Sequence, residues 1–259
     1  STTTGTRNTG VGRGALNGNT TGSRNIGVGY GTLGSNLASN DNTAVGYDAL
    51  SLNTTGSSNV AVGAQSLDAN TSGTQNVGIG YKALTTNTTA SNNTAVGWIA
   101  LRENTGSNNT AFGTQALYSN TSGEQNTAVG TYALDANTTA DANTAVGYHS
   151  MGTNTTGNHC VAVGWQSLHR NTTGNACVAI GSHCLDHNID GGGNVGVGTH
   201  VLSANTSGTS NTAIGQQPML YNTTGSYNVA SGWTALQDNT TGSYNIAIGG
   251  GALANNTTA

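Results

Sequence analysis

The sequence predicts an all-β fold: a parallel β-solenoid or β-roll of 15 coils of about 17 residues, assembled as an oligomeric, trimeric rod or fibre. Three features predict it. A repeat runs through the whole chain, each copy contains a short segment of apolar alternation, and glycine and asparagine recur at fixed places inside it.

With Asn8 as position one, units begin at Asn8, Asn25, Asn42, Asn59, Asn76, Asn93, Asn109 and Asn126. They continue at Asn143, Cys160, Cys177, Asn194, Asn211, Asn228 and Asn245. The step is 17 residues everywhere except from Asn93 to Asn109, where it is 16. The consensus is N-T-A-V-G-Y-x-A-L-x-x-N-T-T-G-S-x, and residues 1–259 form a single array. The array opens at position eleven of a unit and closes at position fifteen of another, which reads as a fragment of a longer fibre protein.

Within each unit, N-T-A-V-G alternates β-branched residues at two and four with small ones, the signature of a strand. A unit this short, broken by glycine at five, leaves no room for a helix of ordinary length. A short extended piece carrying the leucine of position nine is expected next, and N-T-T-G-S makes the return corner. Coils spaced about 4.8 Å apart would build a rod ~70 Å long.

Comparison of the copies assigns the columns. Position five is glycine throughout (Gly12, Gly46, Gly80, Gly113, Gly147, Gly181 among them), the mark of a positive-φ corner. Position twelve is always asparagine (Asn19, Asn53, Asn87, Asn120, Asn154, Asn222 among them), which suits a ladder of amides bonded rung to rung. Val or Ile at four and Leu at nine are expected to form the apolar interior. Ala or Gly at three and small residues at eight are expected to form a surface that another backbone approaches closely. Positions six, seven, ten, eleven and seventeen vary freely and should face solvent. So thin an interior buries little area at about 25 cal/mol per Å², which favours a homo-oligomer, most simply a trimer.

Composition narrows the function. Charged residues make up 6% of the chain, against about 25% in ordinary domains. No basic face exists to neutralise phosphates, which argues against nucleic acid as a partner. No run of 18 apolar residues exists to span a membrane. The ten acidic residues scatter over the variable columns and form no carboxylate pair, so the chain is not expected to be an enzyme or to need a cofactor.

The run from Asn42 to Gly73, NTAVGYDALSLNTTGSSNVAVGAQSLDANTSG, resembles arrays in phage and viral tail-fibre-like proteins. It is also similar in style to the head repeats of trimeric autotransporter adhesins, which use V-A-I-G strands in a β-roll. The resemblance implies an extracellular, trimeric fibre of a virion or cell-surface appendage, used for attachment to cell-surface glycans or a receptor. It transfers no catalytic residue.

Several residues are candidates for more than scaffolding. Cys160 and Cys177 hold position one in adjacent units, where stacking sets their Cα atoms within reach of a disulfide; free thiols in the ladder are the alternative. Tyr47, Tyr81, Trp98, Tyr148, Trp165 and Trp233 share position six and could stack sugars, or pack beside a neighbouring chain or coil. Asn53, Asn70, Asn87, Asn137, Asn171 and Asn239 begin N-glycosylation sequons at position twelve, though ladder geometry alone would also put Asn and Thr there. His183 and His200 share position seven, with His159, His169 and His187 nearby; they read as surface histidines rather than metal ligands. A second function class is an ice-binding β-solenoid using the Asn/Thr arrays, with threonine or serine at thirteen and fourteen ordering water.

Overall fold

The structure is a computed structural model that describes residues 4–258. Its regular elements are three-residue strands, one per repeat, with no helix among the described residues. A first unit, up to Asn126, holds β1 (Thr9–Val11), β2 (Ile26–Val28), β3 (Thr43–Val45), β4 (Val60–Val62), β5 (Val77–Ile79), β6 (Thr94–Val96) and β7 (Thr110–Phe112). A second, from Thr127, holds β8 (Thr127–Val129), β9 (Thr144–Val146), β10 (Val161–Val163) and β11 (Val178–Ile180). It continues with β12 (Val195–Val197), β13 (Thr212–Ile214), β14 (Val229–Ser231) and β15 (Ile246–Ile248).

In each unit consecutive strands pair in parallel and without offset: Thr43 faces Val60, Ala44 faces Ala61, and Val161 faces Val178. Each unit is thus a parallel β-solenoid in which every residue lies over its repeat equivalent. Backbone hydrogen bonds between coils continue well beyond the strands. The N–H of position two donates forward (Thr43 to the Asn59 carbonyl, 2.9 Å), and that of five donates backward (Gly46 to Val28, 2.9 Å). Position seven donates backward (Asp48 to Tyr30, 2.8 Å) and position nine forward again (Leu50 to Ser66, 3.0 Å).

That alternation dictates the backbone. At position five the glycines take φ between +116° and +142°, and a Cβ added to Gly46 would lie 2.6 Å from the Gly63 carbonyl oxygen. Positions seven, nine and seventeen are left-handed in every coil, whatever their residue: Leu50 has φ +53°, His183 +52° and Tyr227 +60°. The stretch expected to be extended around the leucine is therefore a tight turn. Left-handed φ costs an L-residue roughly 1–2 kcal/mol, and here it is compensated by bonds to the coils on either side.

The interior also departs from expectation. Position three, between the two outward residues of each strand, points inward: Ala44, Ala61, Ala95 and Ala128 are fully buried. Position eight is interior too, as Ala49, Ala83 and Ala133 show, and it surrounds Leu50, Leu84 and Leu134 at nine. Small residues at three and eight are thus packed inside their own coil and form no surface for another chain. Val and Ile at four face outward; Ile79, Ile180 and Ile214 are each exposed. The cause is room. A 17-residue coil holding one leucine and two asparagines leaves space only for Ala or Gly at three. At Gly196 there is not even room for a methyl: a Cβ there would meet Cys184 Sγ at 2.5 Å and Val201 at 3.3 Å.

The rest of the interior is polar and fully buried. Asn53 Nδ2 donates to Asn36 Oδ1 (3.1 Å), Asn70 to Asn53 (2.9 Å), and Asn222 to Asn205 (2.8 Å), forming one ladder at position twelve. At position one a second ladder forms: the Asn59 N–H donates to Asn42 Oδ1 at 2.9 Å, and the Asn42 N–H donates to Asn25 Oδ1 at 3.0 Å. Both ladders converge on the carbonyl of position fifteen. Gly56 O accepts from Asn42 Nδ2 (2.9 Å) across the coil and from Asn53 Nδ2 (2.8 Å) within the corner.

The 16-residue coil breaks this pattern once. It lacks position fourteen, so Asn104 Nδ2 reaches the Gly106 carbonyl (2.7 Å) from only two residues away, and Asn87 Oδ1 is left buried without a hydrogen-bond partner. An orphaned buried acceptor costs about 1–3 kcal/mol. Inserting one threonine between Thr105 and Gly106 is therefore expected to raise stability by about that amount, read as a higher denaturant midpoint at unchanged m-value.

Candidate interaction surface

A solenoid interior of this kind leaves function to the outward columns. The first is the strand ribbon of positions two and four. Position two is Thr, Val or Ile in every coil, and position four is Val or Ile except at Phe112 and Ser231. None of these side chains is charged. Beside the ribbon runs position six, where Tyr47, Tyr81, Trp98, Tyr148, Trp165 and Trp233 are all exposed, with Trp233 the most open at 62%. The rung spacing brings neighbouring rings into register: Tyr30 and Tyr47 stack with centroids 5.3 Å apart and planes within 8°. Within each unit the glycan-stacking candidates thus lie on an exposed column, interrupted by Ala64 and Thr114 in the first unit and by Thr131, Ser182 and Thr199 in the second.

The asparagines read as sequons are placed differently. Asn53, Asn70, Asn87, Asn137, Asn171 and Asn239 are fully buried, and each Nδ2 donates to the position-fifteen carbonyl of its own corner. A glycan on Nδ2 would have to displace that bond and fill the coil interior, so the folded coil has no place for one. The threonine hydroxyls at thirteen are committed too: Thr54 Oγ1 donates to the Thr71 carbonyl (2.9 Å) and Thr223 Oγ1 to Thr240 (3.0 Å). Among the described residues, hydroxyls at fourteen such as those of Thr55, Thr89 and Thr173 are exposed.

Cys160 and Cys177 are free rather than bridged. In each, one sulfur stands where position-one asparagine has Oδ1 and Nδ2. Cys160 Sγ accepts the Cys177 N–H at 3.4 Å and lies 3.4 Å from the Gly174 carbonyl; Cys177 Sγ lies 3.2 Å from that of Gly191. Contact with the Cys177 sulfur, together with burial, pushes the Cys160 thiol far up, and burial pushes Cys184 up to about 12. The same sulfur contact lowers the Cys177 thiol, so its protection rests on burial; all three thiols are fully buried and should resist alkylation in the folded protein. Mass spectrometry after iodoacetamide is expected to show no adduct natively and three after denaturation.

Titratable groups gather at positions seven, ten and eleven. His183 Nδ1 lies 3.2 Å from Asp186 Oδ2, His187 Nδ1 3.3 Å from Asp186 Oδ1, and Ser203 Oγ donates to Asp186 Oδ1 at 2.6 Å. His200 stacks on His183 at 5.0 Å, and Trp165 meets His183 edge-on at 4.4 Å. His183 is thus wedged among neighbours, more enclosed than a variable column suggests, and nothing in the repeat pattern marked the Asp186 carboxylate beside it. Among the described residues no group of three His, Cys, Asp or Glu side chains is arranged to hold a metal ion. His149 is packed on Tyr132 with centroids 4.7 Å apart; burial, and secondarily His169, lowers its pKa.

Asp135, also at position ten, has one carboxylate oxygen buried without a hydrogen-bond partner. Desolvation pushes its pKa up to about 6 from the ordinary 3.8. A carboxyl raised in the folded state binds its proton more tightly than in the unfolded chain, so stability falls as pH rises from about 4 through 6 and levels off above. Asp135→Asn should flatten that decline and raise the melting temperature at pH 7, with little change at pH 4, as measured by thermal unfolding across the pH series.

No family model, curated protein or solved structure matches the chain.

Proposed function

We propose that this chain is the shaft of an extracellular fibre, part of a viral or bacterial surface appendage, which associates with copies of itself through the strand ribbon of positions two and four. The observation that carries the reading is the ribbon itself. An uncharged column of β-branched residues recurs on the outside of every coil, with Phe112 and Ile180 each at least 40% exposed, while the small columns are sealed inside. An exposed apolar patch that recurs rung after rung marks an interaction surface. A surface repeated at every rung can meet copies of itself, and a homotrimer with one ribbon per chain turned to a common axis is the assembly this reading takes. The position-six aromatics lie at the ribbon's margin, where they could hold cell-surface glycans in an adhesive role.

The ribbon also favours a second reading. Threonine and valine mix on it, as Thr43 and Val45 or Thr94 and Val96 do, and methyl and hydroxyl groups at regular intervals could order water as an ice-binding face. Assembly separates the two. Light scattering is expected to give about three times the 25.8 kDa chain mass or more. The variant Val62→Lys, Ile79→Lys, Val96→Lys should remain folded by circular dichroism and shift to the monomer. A wild-type monomer at high micromolar concentration would overturn the shaft, and thermal hysteresis from that monomer would establish the alternative.

A further inference from the structure

The second unit carries a depression of about 230 Å³ lined by His187, Ser203, Ala204, Thr206, Leu220 and Tyr221. It lies apart from both the strand ribbon and the position-six column. Its origin is a gap in a column. Position eleven holds His187, then Ala204, then Tyr221 in three successive coils, so a methyl group stands where a ring could. Elsewhere, rings on consecutive rungs ride about one rung apart: Tyr227 and Tyr244 at 5.1 Å, His183 and His200 at 5.0 Å. Ala204 therefore leaves a slot one ring deep between an imidazole and a phenol two rungs apart, about 9.6 Å at the usual strand spacing.

We infer that this slot binds one pyranose unit of a neutral saccharide. Thickness argues for it. A planar aromatic guest between two walls needs about 7–8 Å, two van der Waals contacts of roughly 3.5–4.0 Å, and would rattle in the slot. A puckered ring with its substituents takes up the remaining ~2 Å. The chemistry of the walls agrees. Tyr221, 52% exposed, offers an apolar ring for the sugar's C–H face, and Leu220 extends it. At the opposite side, the Ser203 hydroxyl and the His187 ring supply polar groups for sugar hydroxyls. Both are fixed in place, Ser203 by its 2.6 Å bond to Asp186 and His187 by Asp186 (3.3 Å) and the Ser203 carbonyl (3.1 Å). A pre-positioned polar edge facing an aromatic wall is the arrangement a ring with one apolar face and hydroxyls at its rim requires.

The test is a titration with neutral hexasaccharides of glucose, galactose and N-acetylglucosamine, followed by the NMR shifts of the His187 ring. At least one is expected to move those resonances at millimolar concentration. Tyr221→Ala and Ala204→Phe, both at a variable outward position and checked for fold by circular dichroism, should weaken binding at least tenfold; Tyr244→Ala, which removes an exposed ring at position seventeen, should not. Binding unaffected by Ala204→Phe, no shift with any hexasaccharide at tens of millimolar, or preference for naphthalene sulfonate would each overturn the assignment. None of these outcomes bears on self-association, which the light-scattering experiment tests separately.

Discussion

The coil depends on one shared acceptor. The carbonyl of position fifteen takes an amide from position one across the coil and another from position twelve within its corner, as Gly56 does from Asn42 and Asn53. A buried amide is tolerable only when its hydrogen bonds are made. Each asparagine meets that condition with one partner in its own coil and one in the next. Any change of register would strand both at once. The spacing of 17, the absence of strand offset and the smallness of position fifteen all follow from this.

The same ladder explains the economy of the apolar interior. One leucine and two small residues per coil exclude little water, and three left-handed residues per coil work against folding. A single coil has no way to offset these costs, because the rung-to-rung asparagine bonds and many of its backbone donors find partners only in neighbours. Stability is therefore a property of adjacent pairs, as in other repeat proteins. The 16-residue coil shows how local the fault can be: Asn87 loses its donor, yet Asn120 Nδ2 still reaches Asn104 Oδ1 at 2.7 Å on the far side.

Much of this was legible in the residues. Invariance of Gly at five and Asn at twelve reported a conformational demand and a buried polar one, and both are met as such. The direction of the strand was not legible from alternation alone, since Thr-Ala-Val reads equally well with either face inward. Volume resolves it: two asparagines and Leu50 fill the coil, leaving a space that Ala44 fits and Val45 does not. Left-handed φ at seven and seventeen was hidden for another reason. Those side chains point away from the interior, so selection on packing leaves their identity free, and Gln65, Lys82 and His149 adopt the same backbone. The slot at Ala204 was equally invisible, because it depends on what stands above and below one alanine.

The asparagine ladder also has a direction. Within each unit Nδ2 donates toward the preceding coil and Oδ1 accepts from the following one, as in the series Asn154, Asn171, Asn188 and Asn205. The side-chain dipoles consequently align and polarise one another. A stack built this way has a donor pole and an acceptor pole, and neither can be extended by a coil turned end for end. Copies joined along the axis must follow head to tail. Copies joined side by side are free of that rule, and only there does the molecule choose between like and opposed orientation.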